Sequence, residues 1–266
     1  MAVVVWLVVA EALYVRAVRV LAGRGVRVPR VQIALWHGGI ALWVIGLLSP
    51  IDAWGEDVLW AHMAQHLLIA DLAAPLLLAG MRNPVLAFLI PKPALVVLAR
   101  RRRLRAVFRT LRRPLVAIPV YALVLYFWHF GFAFEAAVRH DAIHGLQHAS
   151  FVAIGMLVWW SALEPKRRRL SGQLWKIGHI LAARMLGMFL GLGFVNIREP
   201  VYTGVYGAGE RRFGLSAVHD QQLAGALMVG LDVLIMVFAL VFFFARAARQ
   251  HDDDEAAAVA RRVAVN

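Results

Sequence analysis

Long apolar runs separated by short polar and basic connections are the dominant pattern along this chain. A helix needs about 20 mostly apolar residues to cross the hydrocarbon core of a bilayer. Seven stretches meet or approach that length: about residues 1–21, 31–48, 57–80, 115–134, 142–163, 174–197 and 217–245. They predict an all-α integral membrane protein, a bundle of about seven transmembrane helices forming one domain over residues 1–246. The first stretch is the least regular, because Glu11, Arg16 and Arg19 interrupt it. Segment Pro84–Ala99 is apolar but short and carries Pro91 and Pro93, so it reads as a helix lying in the inner interface. Residues 247–266, which include "HDDDE", read as a disordered, solvated tail. Small residues along the sixth stretch (Gly178, Ala182, Ala183, Gly187, Gly191, Gly193) predict close helix contact.

The connections orient the bundle. The one after the first stretch carries Arg24, Arg27 and Arg30, with Arg16 and Arg19 just before it. The one after the third holds ten basic residues, including Arg100–Arg103, and the one after the fifth holds Lys166, Arg167, Arg168, Arg169 and Lys176. The alternate connections are poor in Lys and Arg; "SPIDAWGED" has none. Basic ends face the cytoplasm, so the N-terminus lies outside and the C-terminus inside a bacterial inner membrane. No cleavable signal peptide is expected, since a basic leader region and a small-residue cleavage site are missing.

Composition agrees. The chain is 61% hydrophobic with mean hydropathy +0.68, against about 45–50% apolar in soluble domains. The net charge of +13 sits between apolar spans, which fits anionic lipid and argues against nucleic acid as a partner. Cysteine is absent, which excludes disulfides and thiolate metal sites; a metal would need His, Met, carboxylate or water.

With the orientation set, seven of the ten histidines fall at one level on the outer side: His62, His66, His129, His140, His144, His148 and His219. His37, His179 and His251 fall elsewhere. His62 and His66 share a helix face, and His140, His144 and His148 form a ladder of the same spacing if the helix already starts at His140. Such pairs on facing helices can chelate one ion, and imidazole suits copper, zinc, iron and nickel. A proton relay or a polar packing network is the alternative. Met63, between the paired histidines, is either core filling or a soft ligand.

Three charges fall mid-span: Asp71, Arg184 and Asp232. Unpaired charges at that depth are costly, so Arg184 is expected to bridge Asp71, Asp232 or both. Asp220 opens the last stretch, where it either caps its own helix or orients a ligand histidine.

Three segments carry a resemblance: "HMAQHLLIADLAAPLLLAG" (His62–Gly80), "FWHFGFAFEAAVRHDAIHGLQHASFVAIGMLVWW" (Phe127–Trp160) and "HDQQLAGALM" (His219–Met228). Their order and spacing over about residues 30–245 resemble the multi-span CtaG family of cytochrome c oxidase assembly proteins, as distinct from the single-span copper chaperone that sometimes shares the name. The resemblance implies assembly of a haem–copper oxidase, with help in delivering copper to its buried copper centre. Its partners would be oxidase subunits, a copper donor protein and the bilayer. The implied copper ligands are His62, His66, His129, His144 and His148. The chain departs from the family at Ala74–Pro75, where two prolines are more usual, and at His219, where an acidic residue is more usual. His219 is therefore an added ligand or a chance histidine.

Nothing along the chain resembles a nucleophile elbow, a phosphate loop or a paired-carboxylate site, so an enzyme is not expected. The competing readings are a membrane haem protein for electron transfer, a copper permease, and an assembly scaffold without metal.

Overall fold

A backbone in hydrocarbon has no water to bond, so apolar runs of this length settle as helices that pair their own N–H and C=O groups. The computed structural model describes residues 2–163 and 174–265, and they are largely helical, with one two-stranded antiparallel ribbon of Glu210–Arg211 and Leu215–Ser216. The helices that matter here are α1 (Ala2–Ala22), α2 (Arg30–Leu48), α3 (Pro50–Trp54), α4 (Leu59–Gly80), α5 (Lys92–Arg100) and α6 (Arg102–Leu111). They continue with α7 (Pro114–His129), α8 (Gly131–Arg139), α9 (Asp141–Leu163), α10 (Leu174–Asn196) and α11 (Ala217–Val265). The basic run Lys166–Arg169 lies outside the described residues.

Five of these helices are long and apolar enough to cross a membrane: α2, α4, α9, α10 and the Ala217–Asp252 part of α11. A sixth arises if α6 and α7, bent by 83° at their junction, form one broken span. Helix α11 runs through the segment expected as a disordered tail, as far as Val265.

Two of the charges that interrupt α1, Glu11 and Arg16, have partners on neighbouring segments. Trp36 Nε1 donates to Glu11 Oε2 at 2.9 Å, and His37 Nδ1 lies 3.5 Å from Glu11 Oε1. Arg16 donates to the carbonyl of Phe88 at 2.7 Å. Tyr14 stacks on Trp36, with ring centroids 4.3 Å apart, and its hydroxyl donates to the Gly80 carbonyl at 3.3 Å. Helix α1 thus docks against α2 and the far end of α4.

Two close approaches set the helix spacing. A Cβ at Gly155 of α9 would collide with the Ala70 carbonyl of α4. Between α10 and α11, Gly191 and Gly225 oppose each other, and a Cβ on either would meet the other's carbonyl. The small-residue row on α10 is only partly packing. Gly187 and Gly191 lie in such contacts and Ala183 is buried, whereas Gly178 and Gly193 face open space and Ala182 is exposed.

The stretch expected as one span over 115–134 is broken near its C-terminal end. Helix α7 stops at His129 because Phe130 is extended (φ −69°, ψ 139°), and α8 starts afresh at Gly131. The freed carbonyl of His129 accepts the Tyr202 hydroxyl at 2.7 Å, so the break is satisfied by hydrogen bonding. The histidine ladder loses a rung for a similar reason. His140 is extended and exposed, and α9 begins only at Asp141.

Candidate metal centre

The site begins with the placement of α4. Val58 is extended, and the first N–H groups of the helix have no partner within it. Asp220 supplies one from across the bundle: Oδ2 accepts the Leu59 N–H at 2.8 Å and Oδ1 the Trp60 N–H at 2.9 Å. Asp220 is fully buried, and Arg211 Nη1 lies 2.5 Å from its Oδ2. The sequence suggested a cap on its own helix or an orienter of a histidine ring. Asp220 is a cap on the other helix, and it positions His62 and His66 by fixing where α4 starts. Gln65, also fully buried, ties the same turn to α2 and α3 through the Gly46 carbonyl (2.9 Å) and Asp52 Oδ1 (2.5 Å).

From that start, His62 and His66 point toward α9, which presents His144 and His148. The ring centroids lie 4.4 Å apart for His62–His66, 5.0 Å for His62–His144, 5.1 Å for His66–His148 and 4.1 Å for His144–His148. One nitrogen from each of His62, His66 and His144 lies within 4.8 Å of the other two. A tetrahedral ion with bonds of about 2.0 Å needs ligand atoms about 3.3 Å apart, which modest ring rotations supply.

The nitrogens make a stronger case than the distances. His62 Nε2, both ring nitrogens of His66, His144 Nε2 and His148 Nε2 are buried without a hydrogen-bond partner. Buried polar atoms are rarely left so; each neutral imidazole brings one lone pair, and lone pairs converging here call for a cation or water between them. Buried aromatic rings wall the group: the ring centroid of Phe134 lies 4.8 Å from that of His62 and Phe151 4.7 Å from His66.

The segment 197–216 closes over this wall. Tyr202 stacks on Phe134 at 3.9 Å, and the Tyr206 hydroxyl donates to the Gly55 carbonyl at 2.7 Å. Burial pushes both phenols above their usual range, with the Asp220 carboxylate adding to the shift at Tyr206, so both keep the proton they donate. Gln221 holds the segment's start, accepting the Val201 N–H at 2.8 Å and donating to the Phe194 and Ile197 carbonyls. Arg212 pairs with Asp57 at 2.7 Å on the exposed rim.

The other expected ligands fall differently. His148 lies beside the group of three, against His66 and His144, but outside it. His129 is also outside it; its ring lies against Phe151 and Phe194 and its Nε2 is buried without a partner. His219 is exposed on the first turn of α11 and is not brought to the cluster.

Below the histidines, α4 unwinds into a π turn over Leu67–Leu72, with Trp43 Nε1 donating to the Ile69 carbonyl at 3.0 Å. In a regular α-helix, five residues would put Asp71 about 140° round from His66. The wider turn brings both to one cavity of about 30 Å³, also lined by Met63, His129, Met228 and Asp232. At its floor Arg184 is paired with both Asp71 and Asp232 (the latter at 3.1 Å) and donates to the Tyr121 hydroxyl at 2.8 Å. Arg184 is 1% exposed, so this is a buried three-helix clamp with Tyr121 of α7 as a fourth member. Gly187 makes room for it, since a Cβ there would strike the Asp232 carboxylate.

Sequence reasoning missed Gln65, Tyr121 and Gln147, the last fully buried on α9 against His62. A polar residue at an apolar period was the available signal for Gln65 and Gln147. No curated protein and no solved structure matched the chain in either search. Among protein families, the cytochrome c oxidase caa3 assembly factors (Caa3_CtaG) match residues 12–250, nearly the whole bundle, and the chain belongs to that family.

Proposed function

We propose that this assembly factor binds copper as cargo at the outer mouth of its bundle and passes it to the oxidase. The observation that carries this reading is the convergence of His62, His66, His144 and His148 from two helices, with their nitrogens buried and unbonded. Imidazoles in a chain without thiols suit copper well. Their close stacking favours one small ion over a porphyrin, because His62 and His144 lie ring on ring with no slot between them. Among the described residues the inner half offers no comparable ligand row, which favours delivery at one face over permeation.

In this reading α1 and α7, with α6 bent 83° away from α7 along the surface, join the five clear spans to make seven, with the N-terminus outside and the C-terminus in the cytoplasm of a bacterial inner membrane. The basic faces of α5 and α6 then rest on anionic lipid. The factor is not an enzyme; it holds and transfers an ion, receiving it from a donor protein and meeting oxidase subunits at its outer face.

The test is complementation of cells lacking the factor with a His62→Ala, His66→Ala variant. Oxidase isolated from those cells is expected to carry its haems and lack copper. Fully metallated oxidase from the variant strain would refute the copper role and leave a scaffold.

A further inference from the structure

His129 raises a question that the outer cluster does not answer. Its Nδ1 lies 2.7 Å from the Leu125 carbonyl. A carbonyl only accepts, so Nδ1 carries the proton and Nε2 keeps a bare lone pair. That lone pair is buried and unpartnered. A ring nitrogen held this way, with its N–H donated to a backbone carbonyl, has the form of a pre-set metal ligand. Yet His129 does not join His62, His66 and His144.

What it shares a cavity with is Met63 of α4, Met228 of α11 and His66. Both methionines are almost fully buried and pack in one cluster with Phe194, which lies 5.9 Å from the His129 ring. The cavity, about 30 Å³, has room for one ion or about two waters at roughly 10–15 Å³ each. Leucine would fill either methionine position as well, so packing alone does not call for two thioethers there. At the floor, the acidic groups of Asp71 and Asp232 outnumber the one guanidinium of Arg184 beneath the cavity. That balance suits a monovalent cation above it.

We propose that this cavity is a second, inner position for a soft monovalent ion, Cu(I), held by His129 Nε2 and the thioethers of Met63 and Met228, with His66 as the ligand shared with the outer cluster. A neutral imidazole has one lone pair, so His66 serves one position at a time and can pass the ion from one to the other. The proposal rests on the copper reading above.

The full chain, purified in detergent and loaded with Cu(I), is the sample. X-ray absorption at the copper edge is expected to show sulfur as well as nitrogen neighbours, at a stoichiometry of about two ions per chain. In a Met63→Leu, Met228→Leu variant, which conserves volume, the sulfur signal is expected to vanish and the stoichiometry to fall to about one. A purely nitrogen environment in the wild type, or an unchanged stoichiometry in the variant, would overturn the inner site and leave the outer one standing. A wild type that binds no copper at all would overturn both.

Discussion

Replacing Arg184 by Gln should be the most damaging single change in the membrane core, and the geometry says why. Arg184 is 1% exposed and carries the only positive charge between Asp71 and Asp232 among the described contacts. Removing it leaves two carboxylates facing each other in low dielectric. Their escape is protonation, and protonating an ordinary carboxyl at pH 7 costs about 4 kcal/mol. Neutralising one carboxylate at least is forced, so the loss is about 4 kcal/mol, in line with the 3–5 kcal/mol typical of a broken buried pair. At roughly 2–4 °C per kcal/mol for a chain of this size, the unfolding midpoint in detergent should fall by about 10 °C.

The same arithmetic makes Asp71→Asn mild, because Arg184 and Asp232 remain as a balanced pair. The loss should be about 1–2 kcal/mol, the cost of one charge-assisted hydrogen bond. A single acid on Arg184 would let Asp71→Asn with Arg184→Gln restore stability. With two acids on one arginine, full rescue requires the triple change Asp71→Asn, Asp232→Asn, Arg184→Gln. Thermal unfolding of the four proteins, followed by tryptophan fluorescence, is the assay. An Arg184→Gln variant as stable as wild type, or an Asp71→Asn variant as damaged as Arg184→Gln, would refute the clamp.

Other expectations follow from the site. Asp220→Ala removes the cap on α4 and strands Arg211, so stability should fall by about 2 kcal/mol or more and Cu(I) affinity with it, read by competition with a chromogenic chelator. His219→Ala should leave copper stoichiometry unchanged, because His219 is exposed and apart from the cluster; a lost equivalent would show that it is a ligand. Phe134→Ala opens the wall beside His62 and should speed removal of Cu(I) by a chelator at least several-fold in stopped flow. Gly155→Val should prevent stable assembly, since its side chain would occupy the Ala70 carbonyl; a monodisperse variant in size-exclusion chromatography would contradict that packing.

Much of the fold was legible because apolar length is a direct demand of the bilayer. The helices Arg30–Leu48, Leu59–Gly80, Asp141–Leu163 and Leu174–Asn196 end within about two residues of the runs that predicted them. What escaped was local. The stop at His129 depends on a tyrosine from a distant loop taking its carbonyl, and no pattern within 115–134 encodes that. The π turn after His66 changes which residues share a face, so spacing alone could not put Asp71 and His66 on one cavity. In the site, i and i+4 spacing found both histidine pairs, because that spacing is a property of the helix itself. It could not assign Asp220, whose partners are 160 and 161 residues away in sequence. Nor could it separate His129 from the outer group, since membrane level says nothing about which way a ring is turned.

The claim that the outer imidazoles hold copper is tested most directly by the metal content of the purified full chain after Cu(I) loading. The measurement pairs mass spectrometry with an optical spectrum and compares the wild type with a His62→Ala, His66→Ala variant. The account predicts bound copper in the wild type, its loss from the outer site in the variant, and no haem band in either. A haem band, or copper retained in full by the variant, would contradict it.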